Sequence, residues 1–356
     1  MLRFILCRRD SMFMKSRDIT LNAIDDATSK VPFNPFIMHL GANLIDVNYS
    51  KKYCMDANKL VEGQIKAAKI FGIDHVNVST DAYTEASAWG VKLYLEGHTP
   101  VVAKNGSLKL QEFDAIDEPN LLESPRTSER VKAIRFLRGR VPDQCVVGWI
   151  EAPFAALCSL FGMMPIIRLI RNKERSRIFR KLLERILPIQ IEYAKMQIEA
   201  GADIIGAGDS AISQIGPRNY KNITYEATKR LFRHIGKITP TIYHTCGDNS
   251  GIDSAGNDML ELIANAGSSV LDIDFQVDLL KAMKKTNHKV CLRGNTNTTL
   301  LGDKSIPPSD IIADIESTIQ IGKKGRYMYA AGCEWPWHPL EIAVRNISIA
   351  KTIVEK

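Results

Sequence analysis

Residues 241–251, TIYHTCGDNSG, combine a short β-strand pattern with two metal-binding side chains. The initial TIY is β-branched and aromatic, as strands prefer, and the GDN after the cysteine is a turn signal. Side chains alternate between the two faces of a strand, so His244 and Cys246 share a face. An imidazole and a thiolate together at a strand end form half of a zinc site.

A second segment supplies a candidate for the other half. Residues 326–334, RYMYAAGCE, repeat the order of a strand-like run, a glycine and a cysteine, which makes Cys333 the candidate third ligand. Zinc fingers and ribbons use closely spaced cysteines, whereas Cys246 and Cys333 are far apart in the chain. Three protein ligands leave one position of a tetrahedral zinc open, which is typical of catalytic sites.

Strand-like and helix-like segments alternate over most of the chain, which favours a parallel sheet. Eight such units predict an α/β fold of the TIM (β/α)8 barrel type. A doubly wound open sheet is the alternative, but no glycine-rich phosphate loop follows the first predicted strand. The predicted strands are 36–40, 76–79, 146–150, 203–207, 241–246, 270–274, 289–292 and 326–333.

Two regions depart from this alternation. Residues 91–95 and 107–110 alternate around Pro100 and predict a small antiparallel β-hairpin excursion. Residues 1–30 predict an N-terminal extension with a short helix over 16–26, which leaves 31–356 as a single TIM-barrel catalytic domain. The longer predicted helices are 51–71, 128–137, 173–200, 225–236, 258–266, 277–285, 309–321 and 340–356, with shorter ones near 85 and from 153.

Composition bounds the partners and the compartment. The net charge of +7 is mild, and no basic run interleaved with aromatic residues indicates nucleic-acid binding. Seven scattered cysteines predict a reducing compartment rather than a disulfide framework, and Cys145, Cys158 and Cys291 are predicted to pack in the core. Apolar stretches fall short of the ~18–20 residues of a membrane span, and the apolar core of MLRFILCRRD is short for a secretion signal. A cytoplasmic protein without a membrane partner is therefore expected.

Polar residues follow several predicted strands, at the end of the barrel where TIM-barrel enzymes place their chemistry. Asp81, Glu151 and Asp209 are candidate catalytic acids that orient the substrate or act as a weak fourth metal ligand. His39 and Asn295 occupy equivalent positions and are candidate cofactor-binding residues.

The ligand set itself indicates a reaction class. Two thiolates place much negative charge on a zinc ion, which makes it a poor activator of water but a good holder of a reactive sulfur. A thiol bound to zinc loses its proton and remains nucleophilic at neutral pH. The predicted chemistry is therefore alkyl transfer to sulfur.

Four segments resemble the uroporphyrinogen decarboxylase superfamily: YHTCG, GCEWPWHPLEIAVRNI, GADIIGAGDSAISQIGPRNY and GIDHVNVSTDAYTEASAWG. Within it they are similar to zinc-dependent methylcobamide:thiol methyltransferases, such as the coenzyme M methyltransferases of methanogens. The resemblance covers about residues 30–350. It implies a TIM barrel, zinc held by His244, Cys246 and Cys333, a methylcobamide donor on a separate corrinoid protein, and a small thiol acceptor such as coenzyme M. The sequence after Cys333 departs from that family pattern by being bulkier, and its tryptophans, Trp335 and Trp337, are candidate contacts for the acceptor or the corrin face.

Other functions stay open at this point. A sister enzyme would demethylate a small methylated compound onto the corrinoid, or would pass the methyl group to a pterin. The decarboxylase branch uses paired arginines near the first strand, and the matching stretch FIMHLGAN, residues 36–43, contains none. A non-enzymatic scaffold is the remaining alternative, which a metal assay would distinguish from an enzyme.

Overall fold

The main sheet of the computed structural model is parallel and curled. The structure describes residues 14–27, 30–171 and 176–356, without the side chain of Ser176. Its strands are β1 (His75–Asn77), β2 (Leu93–Tyr94), β3 (Val101–Val102), β4 (Cys145–Glu151), β5 (Ile204–Gly208), β6 (Thr241–Thr245), β7 (Val270–Ile273), β8 (Cys291–Thr296) and β9 (Tyr327–Ala331). Seven of them form the sheet in the order β1-β4-β5-β6-β7-β8-β9, and every pair is parallel. The predicted α/β class with a parallel, barrel-like sheet is confirmed.

Helices follow most of the strands and cover the outside of the sheet. The predicted helix over 51–71 begins later, at Ala57, because the Asp56 carboxylate caps it by accepting from Asn58 N at 2.8 Å. Gly72, with a φ of 62°, ends that helix. The α-helices are α1 (Ser16–Asp25), α2 (His39–Leu44), α3 (Ala57–Phe71), α4 (Thr84–Ala88), α5 (Pro125–Arg140), α6 (Pro153–Phe161), α7 (Met163–Arg171), α8 (Ser176–Glu199), α9 (Gly216–Asn219), α10 (Tyr225–Ile235), α11 (Met259–Ala264), α12 (Leu279–Thr286), α13 (Thr298–Gly302), α14 (Pro308–Gly322) and α15 (Leu340–Val354).

The prediction of a strand over 36–40 is wrong. Residues from His39 onward form α2, and the sheet therefore has seven strands instead of the predicted eight. Pro32 and Pro35 explain the difference, because a proline has no N–H to donate to a sheet ladder.

The segment before α2 nevertheless occupies the eighth position of the barrel. On one side Asn34 N donates to Tyr329 O of β9 at 2.9 Å. On the other side Asp74 N, just before β1, donates to Phe33 O at 3.0 Å. Tyr329 N also donates to Pro32 O at 3.1 Å, so a few backbone hydrogen bonds to β9 and to the residue before β1 close the sheet where a continuous strand was expected.

The hairpin excursion is confirmed in part. β2 pairs with β3 in antiparallel register, Leu93 opposite Val102. The second predicted arm, 107–110, is wrong, because Leu108 N donates to Leu160 O of α6 at 2.9 Å instead of pairing with the first arm. A short 3-10 helix, Leu110–Ala115, follows directly.

The predicted helix over 16–26 is confirmed as α1, which lies at the amino ends of the strands. Arg17 Nε donates to Asp203 Oδ1 at 2.8 Å, just before β5, and Arg17 N donates to Asp143 O, just before β4. Ala23 and Ile24 are buried against the core. Residues 1–13 of the predicted extension lie outside the described residues, and the domain boundary at residue 30 stays a prediction.

No single helix in the described ranges is both long and apolar enough to span a bilayer. α6 and α7 meet that criterion only as a pair, and they are bent by 117° at the break between them. Eight of the nine α6 residues are buried in the protein.

Strand register places one layer of residues on the inner face of the barrel. Glu151 pairs with Gly208, Gly208 with His244, His244 with Asp272, and Asp272 with Arg293. Paired residues on neighbouring parallel strands point to the same side of the sheet. The five positions therefore form a single row, which ends near the mouth of the barrel, at the carboxyl ends of the strands.

Candidate metal centre

The three predicted metal ligands converge at the mouth. His244 Nε2 lies 2.8 Å from Cys246 Sγ, and Cys246 Sγ lies 3.4 Å from Cys333 Sγ. The third side of the triangle, Cys333 Sγ to His244 Nε2, is 3.9 Å. These separations suit one ion at the usual zinc distances of about 2.0–2.1 Å to nitrogen and about 2.3 Å to sulfur. Within the described part of the chain this is the one group of at least three His, Cys, Asp or Glu donors found close enough together for a metal.

A buried carboxylate holds the histidine from behind. Asp272 Oδ2 accepts from His244 Nδ1 at 2.7 Å and from Arg293 Nη1 at 2.7 Å. Arg293 also donates to Asn34 O through Nη2 at 2.9 Å. A carboxylate on Nδ1 fixes the tautomer and the orientation of the ring, so that the Nε2 lone pair faces the two sulfurs.

The sequence reasoning missed Asp272 and Arg293 as parts of the centre. Their signal was present, since Asp272 lies within the predicted strand 270–274 and Arg293 directly follows the strand 289–292. Only the register between neighbouring strands puts both residues beside His244, and register was not assigned from the sequence.

A tight turn fixes the position of Cys246. Gly247 adopts a φ of 83°, a conformation that favours glycine, and its N–H donates to Asp274 Oδ2 at 2.9 Å. Asn249 Nδ2 lies 3.2 Å from Cys246 O and 3.1 Å from Gly247 O, and donates to both. The GDN segment thus acts as a turn, as predicted, and its side chains hold the cysteine at the strand end.

Protons compete with a metal ion for the three donors. Burial disfavours a charged imidazole, but Asp272 and then Cys333 outweigh it and raise the pKa of His244 to about 10. The hydrogen bond from Cys246 lowers the pKa of Cys333 well below its usual value, and the same bond raises the pKa of the Cys246 thiol. Protein metal sites bind their ion in competition with such protons.

Aromatic rings cover one side of the histidine. The ring of Phe36 lies 5.7 Å from that of His244, the ring of Trp149 lies 6.0 Å away, and the two aromatic rings are 4.8 Å apart. Cys246 and Cys333 are partly exposed, whereas His244 is buried. Access to the donors is therefore from the side of the two cysteines.

Asp81 is held in an ion pair away from the three donors. Its carboxylate accepts from both terminal nitrogens of Arg126 and from Tyr83 N. Burial opposes ionisation, but the charge and hydrogen bonds of Arg126 prevail and lower the pKa of Asp81. No donor of the centre contacts this carboxylate among the described residues.

Asp209 and Glu151 end neighbouring strands but face opposite sides. Asp209 Oδ2 accepts from Tyr243 Oη at 3.0 Å, and Asp209 Oδ1 accepts from Ala155 N at 3.1 Å. Tyr243 alternates with His244, so Asp209 lies on the outer, helix-covered face. Burial raises the pKa of Asp209 to about 7. Glu151 lies on the inner face, where burial and then Glu85 raise its pKa well above the usual value.

The three predicted cofactor contacts have different surroundings. His39 lies between Tyr49 and Trp337, with ring separations of 3.6 and 4.9 Å, and its Nδ1 is 2.8 Å from Glu334 Oε1. Asn295 Nδ2 donates to the carbonyls of Asp274 and Val277 in the turn after β7.

Trp335 is fully buried, and its Nε1 donates to Ala343 O of α15 at 3.3 Å. Trp337 is the partly exposed tryptophan of this segment. Cofactor binding by His39, Asn295 and Trp335 stays a prediction.

The comparisons with known proteins agree with this fold. The family model described as uroporphyrinogen decarboxylase (URO-D) matches residues 21–349. A uroporphyrinogen decarboxylase of Pelobacter propionicus is 25% identical over 258 residues, which cover 70% of this chain and 71% of the relative. One of Coxiella burnetii is 23% identical over 316 residues, which cover 83% of this chain and 84% of the relative.

Among solved structures, a methyltransferase from Methanosarcina mazei superposes with a TM-score of 0.83 and 19% identity, covering 97% of this chain and all (100%) of that one. A B12-independent methionine synthase from Shewanella sp. W3-18-1 gives a TM-score of 0.56 at 12% identity, covering 84% of this chain and 86% of that one. At these identities the likeness establishes the fold alone.

Proposed function

The chain belongs to the uroporphyrinogen decarboxylase family, and we propose that it acts there as a zinc-dependent methyltransferase. In this proposal a methyl group moves from a methylcobamide, carried by a separate corrinoid protein, to the sulfur of a small thiol such as coenzyme M. The M. mazei methyltransferase with the same fold supports the reaction class.

One observation carries the proposal: His244, Cys246 and Cys333 present one nitrogen and two sulfurs within 3.9 Å of one another. The donor set fits zinc, because imidazole and thiolate are its preferred ligands and the second histidine nitrogen is held by a carboxylate. Zinc bound there would hold the acceptor as a thiolate, which is nucleophilic at neutral pH.

The surrounding side chains have distinct tasks in this scheme. Asp272 orients His244, and Arg293 balances the buried charge of that carboxylate. Phe36 and Trp149 exclude water from one side of the histidine. The partly exposed cysteines leave the other side accessible to the acceptor and to a methyl donor that comes from outside.

Decarboxylation of a uroporphyrinogen is the second candidate function, because the named relatives carry that activity in their names. Recognition of several carboxylates calls for arginine forks. Residues 30–44, which pass beside β9 and then form α2, contain no arginine. The cysteine pair at the mouth also has no task in a reaction that needs no metal.

The test mixes the purified protein, after metal analysis, with free methylcobalamin and a panel of thiols and pterins, and follows the corrinoid spectrum. Demethylation that requires a thiol, by a protein containing about one zinc per chain, would support the proposal. Demethylation with a pterin alone, or methylation of reduced corrinoid by a methylated compound, would identify a sister enzyme. Release of CO₂ from uroporphyrinogen would identify a decarboxylase, and a metal-free protein inactive in every assay would indicate a scaffold.

A further inference from the structure

We propose that Glu151 and Trp149 form a recognition subsite for the non-sulfur end of the acceptor, on the inner face of β4. The ligand it fits is a small thiol whose other end carries a hydrogen-bond-accepting oxygen, as in a hydroxyl, carboxylate or sulfonate group. The inference rests on the proposed function, because it concerns the same acceptor.

Register places this subsite beside the metal centre. Glu151 pairs with Gly208 of β5, and Gly208 pairs with His244 of β6, so one strand separates the carboxyl from the metal-binding imidazole. Adjacent strands lie about 4.8 Å apart, so β4 and β6 are roughly 10 Å apart at this level. Two inward side chains with a small molecule between them can span that distance.

Gly208 keeps the space between them open. A Cβ placed on Gly208 would lie 3.4 Å from Trp149 Nε1 and 3.5 Å from Glu151 Oε2, which is ordinary van der Waals contact. The space over Gly208 is thus bordered by the two polar atoms. Gly206 differs, because a Cβ there would lie 2.3 Å from the Trp149 ring. The indole therefore fills the space over Gly206 and presents its N–H edge over Gly208, at the level of His244.

The two polar groups have no protein partner. Glu151 and Trp149 are 5% and 3% exposed, yet neither the Glu151 carboxyl nor Trp149 Nε1 has a hydrogen-bond partner among the described residues. The buried acids Asp81, Asp209 and Asp272 differ, because each accepts a hydrogen bond from a side chain, of Arg126, Tyr243 and His244 respectively. Among the described residues neither group belongs to the fully enclosed polar atoms that lack a partner, so both reach the open space at the mouth, where a ligand or water can bond to them.

The chemistry of the pair selects the ligand. Glu85 Oε2 accepts from Glu151 N at 2.7 Å, which brings a second acid beside the first. Burial and then Glu85 raise the pKa of Glu151 well above its usual value, which favours the protonated form of its carboxyl, the form that can donate a hydrogen bond. The indole N–H can only donate. Two donors favour an oxygen acceptor and disfavour an ammonium group.

Optical titration of the cobalt(II)-substituted protein tests this without methyl transfer. The probes are ethanethiol, 2-mercaptoethanol, 2-mercaptoethanesulfonate and cysteamine. The wild-type protein should bind the two oxygen-bearing thiols about tenfold more tightly than ethanethiol, as expected for one good hydrogen bond. Cysteamine should bind no better than ethanethiol.

Four variants separate recognition from structure. Glu151→Met removes the donor at similar volume, and Gly208→Ala fills the space with one methyl group. Both should abolish the preference while ethanethiol affinity and metal content stay unchanged. Glu151→Gln retains a donor and should keep most of the preference. The control Asp209→Asn alters a buried acid on the outer face and should change none of the affinities.

Two results would overturn the inference: a preference that persists in both Glu151→Met and Gly208→Ala, or an equal loss of affinity for ethanethiol in these variants. The latter would mean that Glu151 has a purely structural role. Thiol binding without any preference in the wild-type protein would also overturn it while leaving the proposed function standing. A cobalt spectrum unchanged by every thiol would remove the proposed function, and this inference with it.

Discussion

The two halves of the barrel mouth use similar residues in different ways. In the half built by β6 to β9, His244, Asp272 and Arg293 point inward and bond to one another, and the two cysteines join them. In the half built by β1, β4 and β5, Asp81 is paired with Arg126 and Asp209 with Tyr243, both away from the centre. A polar residue at a strand end therefore belongs to the site only if it faces inward, and the contrast can be tested residue by residue.

The largest effect is expected from Cys246→Ala in the converging half. Zinc should fall from about one per chain to near zero, and thiol-dependent demethylation should become undetectable, because two donors hold zinc poorly. Unfolding should remain cooperative, because Cys246 is partly exposed at the mouth and is not part of the core. Metal analysis measures the zinc content, and a denaturant titration shows whether unfolding is cooperative. Full zinc content in both Cys246→Ala and Cys333→Ala would remove this ligand assignment.

A smaller but still large effect is expected from Asp272→Ala. Arg293 would lose its buried partner, which costs about 3–5 kcal/mol of unfolding free energy when one member of such a pair is removed. His244 would lose its orienting bond, and zinc affinity should fall 10–100-fold. Competition with a chelator measures the zinc affinity, and a denaturant titration measures the free energy of unfolding. Asp209→Asn is the matched control, and comparable loss of zinc there would contradict the inward–outward distinction.

In the half built by β1, β4 and β5, the buried acid Glu85 should make the stability of the protein depend on pH. Burial raises the pKa of Glu85 to about 7, while the Glu151 N–H and Arg130 oppose it. Between about pH 4.5 and 7 the unfolded chain has lost this proton and the folded protein still holds it, so stability falls as the pH rises. Glu85→Gln should remove that loss and gain roughly 2–3 kcal/mol over the wild-type protein across this interval. Parallel stability curves for the two proteins would show that Glu85 has an ordinary pKa.

The smallest effects are expected from cysteines outside the centre. Cys145 and Cys291 are buried in strands and Cys158 lies in α6, and none of them reaches the three donors. Replacing each by alanine should cost about 1 kcal/mol of stability and leave the zinc content unchanged. Loss of zinc in any of them would mean that the ligand set is wrong.

The sequence predicted the parallel α/β architecture and brought the three metal donors together, because strand periodicity and residue type carry that information. It could not predict the side of the sheet on which Asp209 lies, since that depends on where β5 begins within an apolar run. It also missed Asp272 and Arg293, whose roles come from register between strands. The predicted strand over 36–40 is wrong because Pro32 and Pro35, just before it, outweigh the hydrophobic pattern of the segment.

X-ray absorption at the zinc edge, with and without the acceptor thiol, tests the central claim most directly. His244, Cys246 and Cys333 predict two sulfur neighbours in the resting protein and three after a thiol such as coenzyme M is added. A sulfur count that stays at two when the thiol is added would contradict the proposed binding of the acceptor at the metal.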